Sequence, residues 1–178
     1  MYFVIRFGWL SVLLTMLGGD NQPADLPSVA LIEAVNDYRH SHGLHPIKSS
    51  MILNEVARLH VADLQQHNPD QGVCNMHSWS SNGDWTACCY KDVDPKASCM
   101  WDKPREISGF RYDSNGYEVA AWLSDSMHVE AAVELWQRSK GHNAVILNKG
   151  AWGALRWKAI GAAMSENYAV VWFGTRAD

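Results

Sequence analysis

The chain lacks the features that mark a nucleic-acid-binding or multi-spanning membrane protein. Its 15 lysines and arginines are scattered and outnumbered by 19 acidic residues, for a formal charge of −4. Without a basic patch there is no counterion-release gain from a phosphate backbone, so a nucleic-acid partner is not expected. Beyond residue 19 no apolar run approaches the ~20 residues that a membrane-spanning helix needs. There is no G-x-S-x-G elbow, H-E-x-x-H helix, Walker loop or glycine-rich dinucleotide turn, which sets aside the enzyme classes those motifs define. Internal repeats and low-complexity tracts are missing too. Cysteine is scarce, four in 178 residues, and no C-x-x-C pair occurs, so a structural zinc site built on thiolates is disfavoured.

At the N-terminus, Arg6 is followed by the apolar run Phe7 to Leu17 and then Gly18-Gly19. This pattern predicts a secretory signal peptide over residues 1–19, a short linker over 20–26 and a domain over 27–178. The 159 residues after position 19 carry 14 basic and 19 acidic side chains, a charge of −5. A chain of that length is one domain's worth and buries roughly two-thirds of its unfolded surface.

Pro27 and Gly43 bracket a first helix with Leu31, Ile32, Val35 and Tyr38 facing inward. A second helix, capped by Ser49 or Ser50, puts Leu53, Val56, Ala57, His60 and Leu64 on one stripe. Periodicity then stops over about 67–115, a stretch rich in Asn, Asp, Gly, Ser and Trp that holds all four cysteines, Cys74, Cys88, Cys89 and Cys99. An even count in an exported chain predicts two disulfides stapling this insertion. A Cys88–Cys89 bridge is strained; each of the other two pairings joins one of that doublet to Cys74 and the other to Cys99. A short helix over about 117–123 and a longer one over 127–139 are expected next. Gly141 suits a left-handed residue past the end of the longer helix, which sets His142 just beyond it. Two apolar strands, 159–164 and 168–173, joined by Ser165-Glu166-Asn167, read as a hairpin, the second covered on both faces. Helices on both sides of such a sheet predict an α/β fold of the α+β kind, a three-layer α-β-α sandwich with a central antiparallel sheet.

Several segments carry a resemblance: S-K-G-H-N-A-V-I-L-N at 139–148, N-D-Y-R-H-S-H-G-L-H-P-I at 36–47, L-N-E-V-A-R-L-H-V-A-D at 53–63, M-H-S at 76–78 and G-Y-E at 116–118. Together they resemble the CAP superfamily of cysteine-rich secretory proteins, antigen 5 and pathogenesis-related proteins (SCP domain), in the form of its microbial members. The resemblance implies the CAP fold and a cleft formed by His77, Glu118 and His142, with His77 and His142 able to hold zinc or another divalent metal. Many members carry a second glutamate at the position of Ser139. Glu134 does not replace it, since it lies about 160° around the helix from Trp136 at ~100° per residue.

The resemblance therefore implies a secreted protein that binds a small apolar ligand, a metal or an extracellular protein partner in this cleft, a binding role taken ahead of catalysis. The alternative is a metal-dependent, protease-like hydrolase in which a metal-bound water, or Glu118 as general base, attacks the substrate. A third reading gives Trp79, Trp85 and Trp101 of the insertion to a carbohydrate. Among the eight histidines, His40, His42 and His45 are assigned to the C-terminal dipole of the first helix, because neighbours in H-x-H point about 200° apart. His60, on an apolar stripe, is read as a hydrogen-bonded core residue.

Overall fold

The structure is a computed structural model that describes residues 25–91 and 98–178; the signal peptide and most of the linker lie outside them. The first helix, α1 (Leu26–Ser41), starts where the Asp25 carboxylate accepts from Ser28 N at 2.9 Å, with Pro27 in the first turn, where a missing N–H costs nothing. It stops ahead of Gly43, whose φ of +75° only glycine adopts freely. Of the two serines proposed as caps for α2 (Met51–His67), Ser50 does the work, accepting from Leu53 N at 3.0 Å, and the helix ends on left-handed Asn68.

Three strands form one antiparallel sheet, β1 (Gly116–Trp122), β2 (Ala159–Met164) and β3 (Tyr168–Gly174), in the order β1-β3-β2. The predicted hairpin is β2–β3, and β3 is the central strand, buried along its whole length. Alternation along the strands splits the interior in two. Val119, Ala121, Ile160, Ala162, Val171 and Phe173 face α1, α5 (Val129–Arg138) and α6 (Lys140–Ile146). Ala120, Ala159, Ala163, Val170 and Trp172 face α2 and the insertion, which contains the short helices α3 (Ser98–Trp101) and α4 (Lys103–Ile107). This is the expected α-β-α sandwich.

Two sequence expectations fail. The segment expected to be a helix over 117–123 is β1, because every residue from Gly116 to Trp122 pairs with β3. Burial on both faces of a sheet there overrides the helix propensity of its alanines. Gly141 is not a left-handed terminator; it lies in the first turn of α6. Ser139 ends α5 and restarts the chain as a new helix, its hydroxyl accepting from His142 N at 3.4 Å and its carbonyl from Asn143 N at 2.9 Å. His142 therefore sits on the first turn of a second helix rather than on a loop.

The position of α2 is fixed by close contact. A Cβ on Gly161 would lie 2.1 Å from the carbonyl carbon of Leu53 and 2.3 Å from Asn54 N, so helix and strand touch backbone to backbone. The Asn54 carboxamide accepts from Ala162 N at 3.0 Å, and Ser49 bridges to Ile160, so the outer edge of β2 is partly covered. In the insertion the disulfides are Cys74–Cys89 and Cys88–Cys99. They settle the pairing that spacing left open. A short antiparallel bridge joins Trp79 to Cys88 beside them.

Candidate functional site

Glu118 is opposite Trp172 in the β1–β3 register, so its side chain falls on the α2 face of the sheet. There it is wholly enclosed, with both carboxylate oxygens occupied. Oε1 lies 2.5 Å from His60 Nδ1 and Oε2 lies 2.8 Å from His77 Nδ1. Burial by itself would push this carboxyl up, but the facing imidazoles His60 and His77 hold it below the usual carboxylate range. His60, in the third turn of α2, is 0% exposed; its Nε2 donates to Ser78 O at 2.9 Å and its ring stacks on Trp79 at 4.2 Å and 6°.

His77 is placed by a tight turn rather than by a regular element. The Asn75 side chain accepts from His77 N at 3.0 Å, and Asn75 O accepts from Ser78 N at 2.9 Å. Tyr90 N donates to the Ser78 hydroxyl at 2.9 Å, tying that turn to the residue that follows Cys89. His77 keeps 17% of its side chain exposed. His142 approaches from α6, on the other layer of the sandwich. The two ring centroids are 6.1 Å apart at 79°, across more than sixty residues of chain. Burial, reinforced by the neighbouring His77, lowers the pKa of His142 to about 4, so it is a neutral imidazole at physiological pH.

The structure thus brings His77, Glu118 and His142 together, with different tasks. Glu118 stands behind His77 and has no oxygen left for a solvent molecule, so it orients the ring rather than facing the open cleft. Neutral His142 and the second nitrogen of His77 have the chemistry of ligands for zinc or a similar divalent ion. Among the described residues no group of three or more His, Cys, Asp and Glu side chains is arranged to hold a metal. The donor set therefore fits a two-histidine site completed by water and does not fit a closed four-ligand structural site. Ser139 contributes a helix cap and no charge.

The remaining candidates lie elsewhere. His40, His42 and His45 are exposed at the end of α1, and His42 Nδ1 bonds Tyr38 O at 2.9 Å. Trp79 is 2% exposed and belongs to the core, with Trp85 packed on its edge at 5.0 Å, while Trp101 lies against Tyr117 at 5.9 Å. These three tryptophans do not share one open face. A cavity of about 410 Å³ opens in the insertion beside Lys103, Glu106, Cys99 and Phe110, none of them a predicted cleft or metal residue. Sequence reasoning missed His60 as a member of the site: its apolar stripe marks it as buried but gives no sign of the carboxylate 58 residues away that meets it.

The model of the cysteine-rich secretory protein family, CAP, matches residues 32–169. The chain belongs to that family. Among solved structures it is similar to a cysteine-rich secretory protein from Staphylococcus aureus, with a TM-score of 0.56 and 14% identity over 86% of this chain and 40% of that one. An extracellular protein containing an SCP domain from Bacillus anthracis gives 0.53 and 15% identity over 84% and 40%. An outer surface protein from Borrelia burgdorferi gives 0.54 and 15% over 83% and 91%. The chain thus spans about two-fifths of the length of the first two, and at these identities the likeness is one of fold. No curated protein matches in sequence.

Proposed function

We propose that this chain is an exported CAP domain that acts by binding, and that His77 and His142 form a weak, exchangeable site for a divalent metal at the mouth of its cleft. The observation that carries this reading is the approach of two imidazoles, 6.1 Å between centroids, one held neutral by burial and the other backed by a carboxylate. Export is supported by the N-terminal apolar run, by the two disulfides and by the likeness to an extracellular protein and an outer surface protein. A bound metal would supply a positive centre for an anionic or carbonyl group of a ligand. What this chain supplies is the pair of imidazoles and the buried carboxylate that fixes one of them. Binding is preferred to hydrolysis because Glu118 has no free oxygen with which to take a proton from water.

Calorimetric titration of the disulfide-bonded protein with zinc and with cadmium tests the proposal. One ion per chain is expected, lost in His77→Ala and in His142→Ala, while the fold survives by circular dichroism. Equal binding in the double variant removes the metal site. Hydrolysis of a peptide or ester substrate that disappears in both single variants would replace the binding reading with an enzymatic one.

A further inference from the structure

His60 makes two contacts whose donors and acceptors can be assigned without knowing where any proton was placed. Its Nε2 faces the carbonyl oxygen of Ser78 at 2.9 Å, and a carbonyl only accepts, so Nε2 carries a hydrogen. Its Nδ1 faces Glu118 Oε1 at 2.5 Å in a fully enclosed contact, which needs one proton between the two atoms. That proton resides on His60, making an imidazolium–carboxylate pair, or on Glu118, making a neutral acid that donates to a neutral ring. In both cases the other oxygen, Oε2, has no hydrogen left to give. It accepts, and the group it accepts from at 2.8 Å is His77 Nδ1.

From this geometry we infer that His60 is a positioning residue for the cleft: by occupying Oε1 it compels Glu118 to accept from His77, which locks His77 as its Nδ1–H tautomer with the lone pair on Nε2. The affinity consequence rests on the metal-site reading above, whereas the tautomer assignment does not. His60 has the surroundings to hold this orientation. One ring face stacks on Trp79 at 4.2 Å, a T-shaped contact joins the ring to Trp172 at 6.2 Å, and the ammonium of Lys103 lies 5.5 Å from the Trp79 indole centroid. The helix that carries it meets β2 backbone to backbone at Gly161.

Removing the ring leaves Oε1 in an apolar enclosure without a partner. The Glu118 carboxyl is then held through Oε2 alone and is no longer fixed by a donor on its other oxygen. His77 loses the anchored acceptor that confines its hydrogen to Nδ1, and with it the exclusive presentation of the Nε2 lone pair a metal requires. His60 touches neither the ion nor a ligand in this scheme; it acts through two other side chains.

The test is two-bond 15N–1H spectroscopy of the histidines in the metal-free, disulfide-bonded full-length protein, with cadmium calorimetry in parallel. In the unaltered chain His77 is expected to be protonated on Nδ1 and to show a pyridine-like Nε2. In His60→Leu its proton should no longer be confined to Nδ1, with the Nε2–H form appearing, and cadmium binding should weaken by about tenfold or more, the range for lost outer-shell partners. In His60→Asn, whose amide nitrogen takes the place of Nδ1 and still donates to Glu118, His77 should keep the Nδ1–H form, and this variant decides the matter if the leucine variant does not fold. Protonation of His77 on Nε2 in the unaltered chain or in His60→Asn overturns the proposal, as does an unmoved tautomer in a folded His60→Leu. A chain that binds no cadmium at all, yet shows the tautomer change, rejects the metal site and retains the role of His60.

Discussion

Glu118 Oε1 and His60 Nδ1 meet at 2.5 Å with neither side chain exposed, a buried contact joining the edge strand β1 to the middle of α2. Isolated, either group would be an expensive inhabitant of the interior; together they satisfy one another, and His77 and Ser78 O take up what remains.

Glu118→Ala is therefore expected to destabilise the fold by about 3–5 kcal/mol, the usual cost of removing one member of a buried pair. Urea denaturation followed by tryptophan fluorescence measures it. A loss below ~1 kcal/mol would mean that the pair adds nothing beyond an exposed contact.

Stability should fall as pH is lowered, in two overlapping steps of the same sign. His142 has a folded value of about 4 against an ordinary 6.5, so the unfolded chain takes up its proton first and stability declines from pH 6.5 toward 4. Burial is the main cause, with the neighbouring His77 lowering the value further and Glu118 opposing it. Glu118 is held below the usual carboxylate range, so its contribution is intact above that range and is lost as pH drops through its folded value. Melting temperatures recorded across this interval should rise with pH, and His142→Asn should flatten the upper part of the curve while leaving the lower part.

Gly141→Ala separates two placements of the same residue. Inside the first turn of α6, with nothing nearer to a new Cβ than Ser139 Oγ at 4.0 Å, alanine should stabilise by about 0.5 kcal/mol. Were Gly141 a left-handed terminator, the substitution would destabilise instead. Gly161→Ala is the opposite case. Its Cβ would collide with the backbone of Leu53 and Asn54, and a loss of roughly 1–3 kcal/mol, or more if α2 cannot shift, is expected in thermal melts.

Reduction of the two disulfides should release the insertion before the sandwich. Cys74–Cys89 and Cys88–Cys99 close segments of 15 and 11 residues, each typically worth about 2–4 kcal/mol. Hydrogen exchange after reduction should rise between residues 74 and 91 while β3 stays protected. Collapse of the whole sheet at the same reductant concentration would show that the staples hold more than their own loop.

How much of this was legible in the sequence depended on whether the decisive contact was local. The α1 and α2 stripes, the β2–β3 hairpin and the buried character of β3 follow from spacing, and the site histidines and Glu118 follow from short family motifs. Strand β1 was misread because Val-Ala-Ala carries no period of two when both faces are buried, and only its partner strand decides the matter. The break at Ser139 was missed because a capping serine and a terminating glycine two residues apart make competing signals, and the cap prevails. The tie from His60 to Glu118 has no local signature at all. It exists because Gly161 on β2 lets α2 approach the sheet closely enough for an imidazole on its third turn to reach β1 at the opposite edge.

The cap at Ser139 also bears on what this lineage can become. A residue beginning a helix must return a short side chain to the backbone N–H groups, as Ser139 does toward His142 N. The family resemblance puts a glutamate at this position in many relatives, and a glutamate is a poor match for that task. A glutamate here would thus weaken the start of the helix that presents His142 by about 1 kcal/mol, so cap and carboxylate compete for one position. Aspartate reconciles them, being both a favoured cap and an anion.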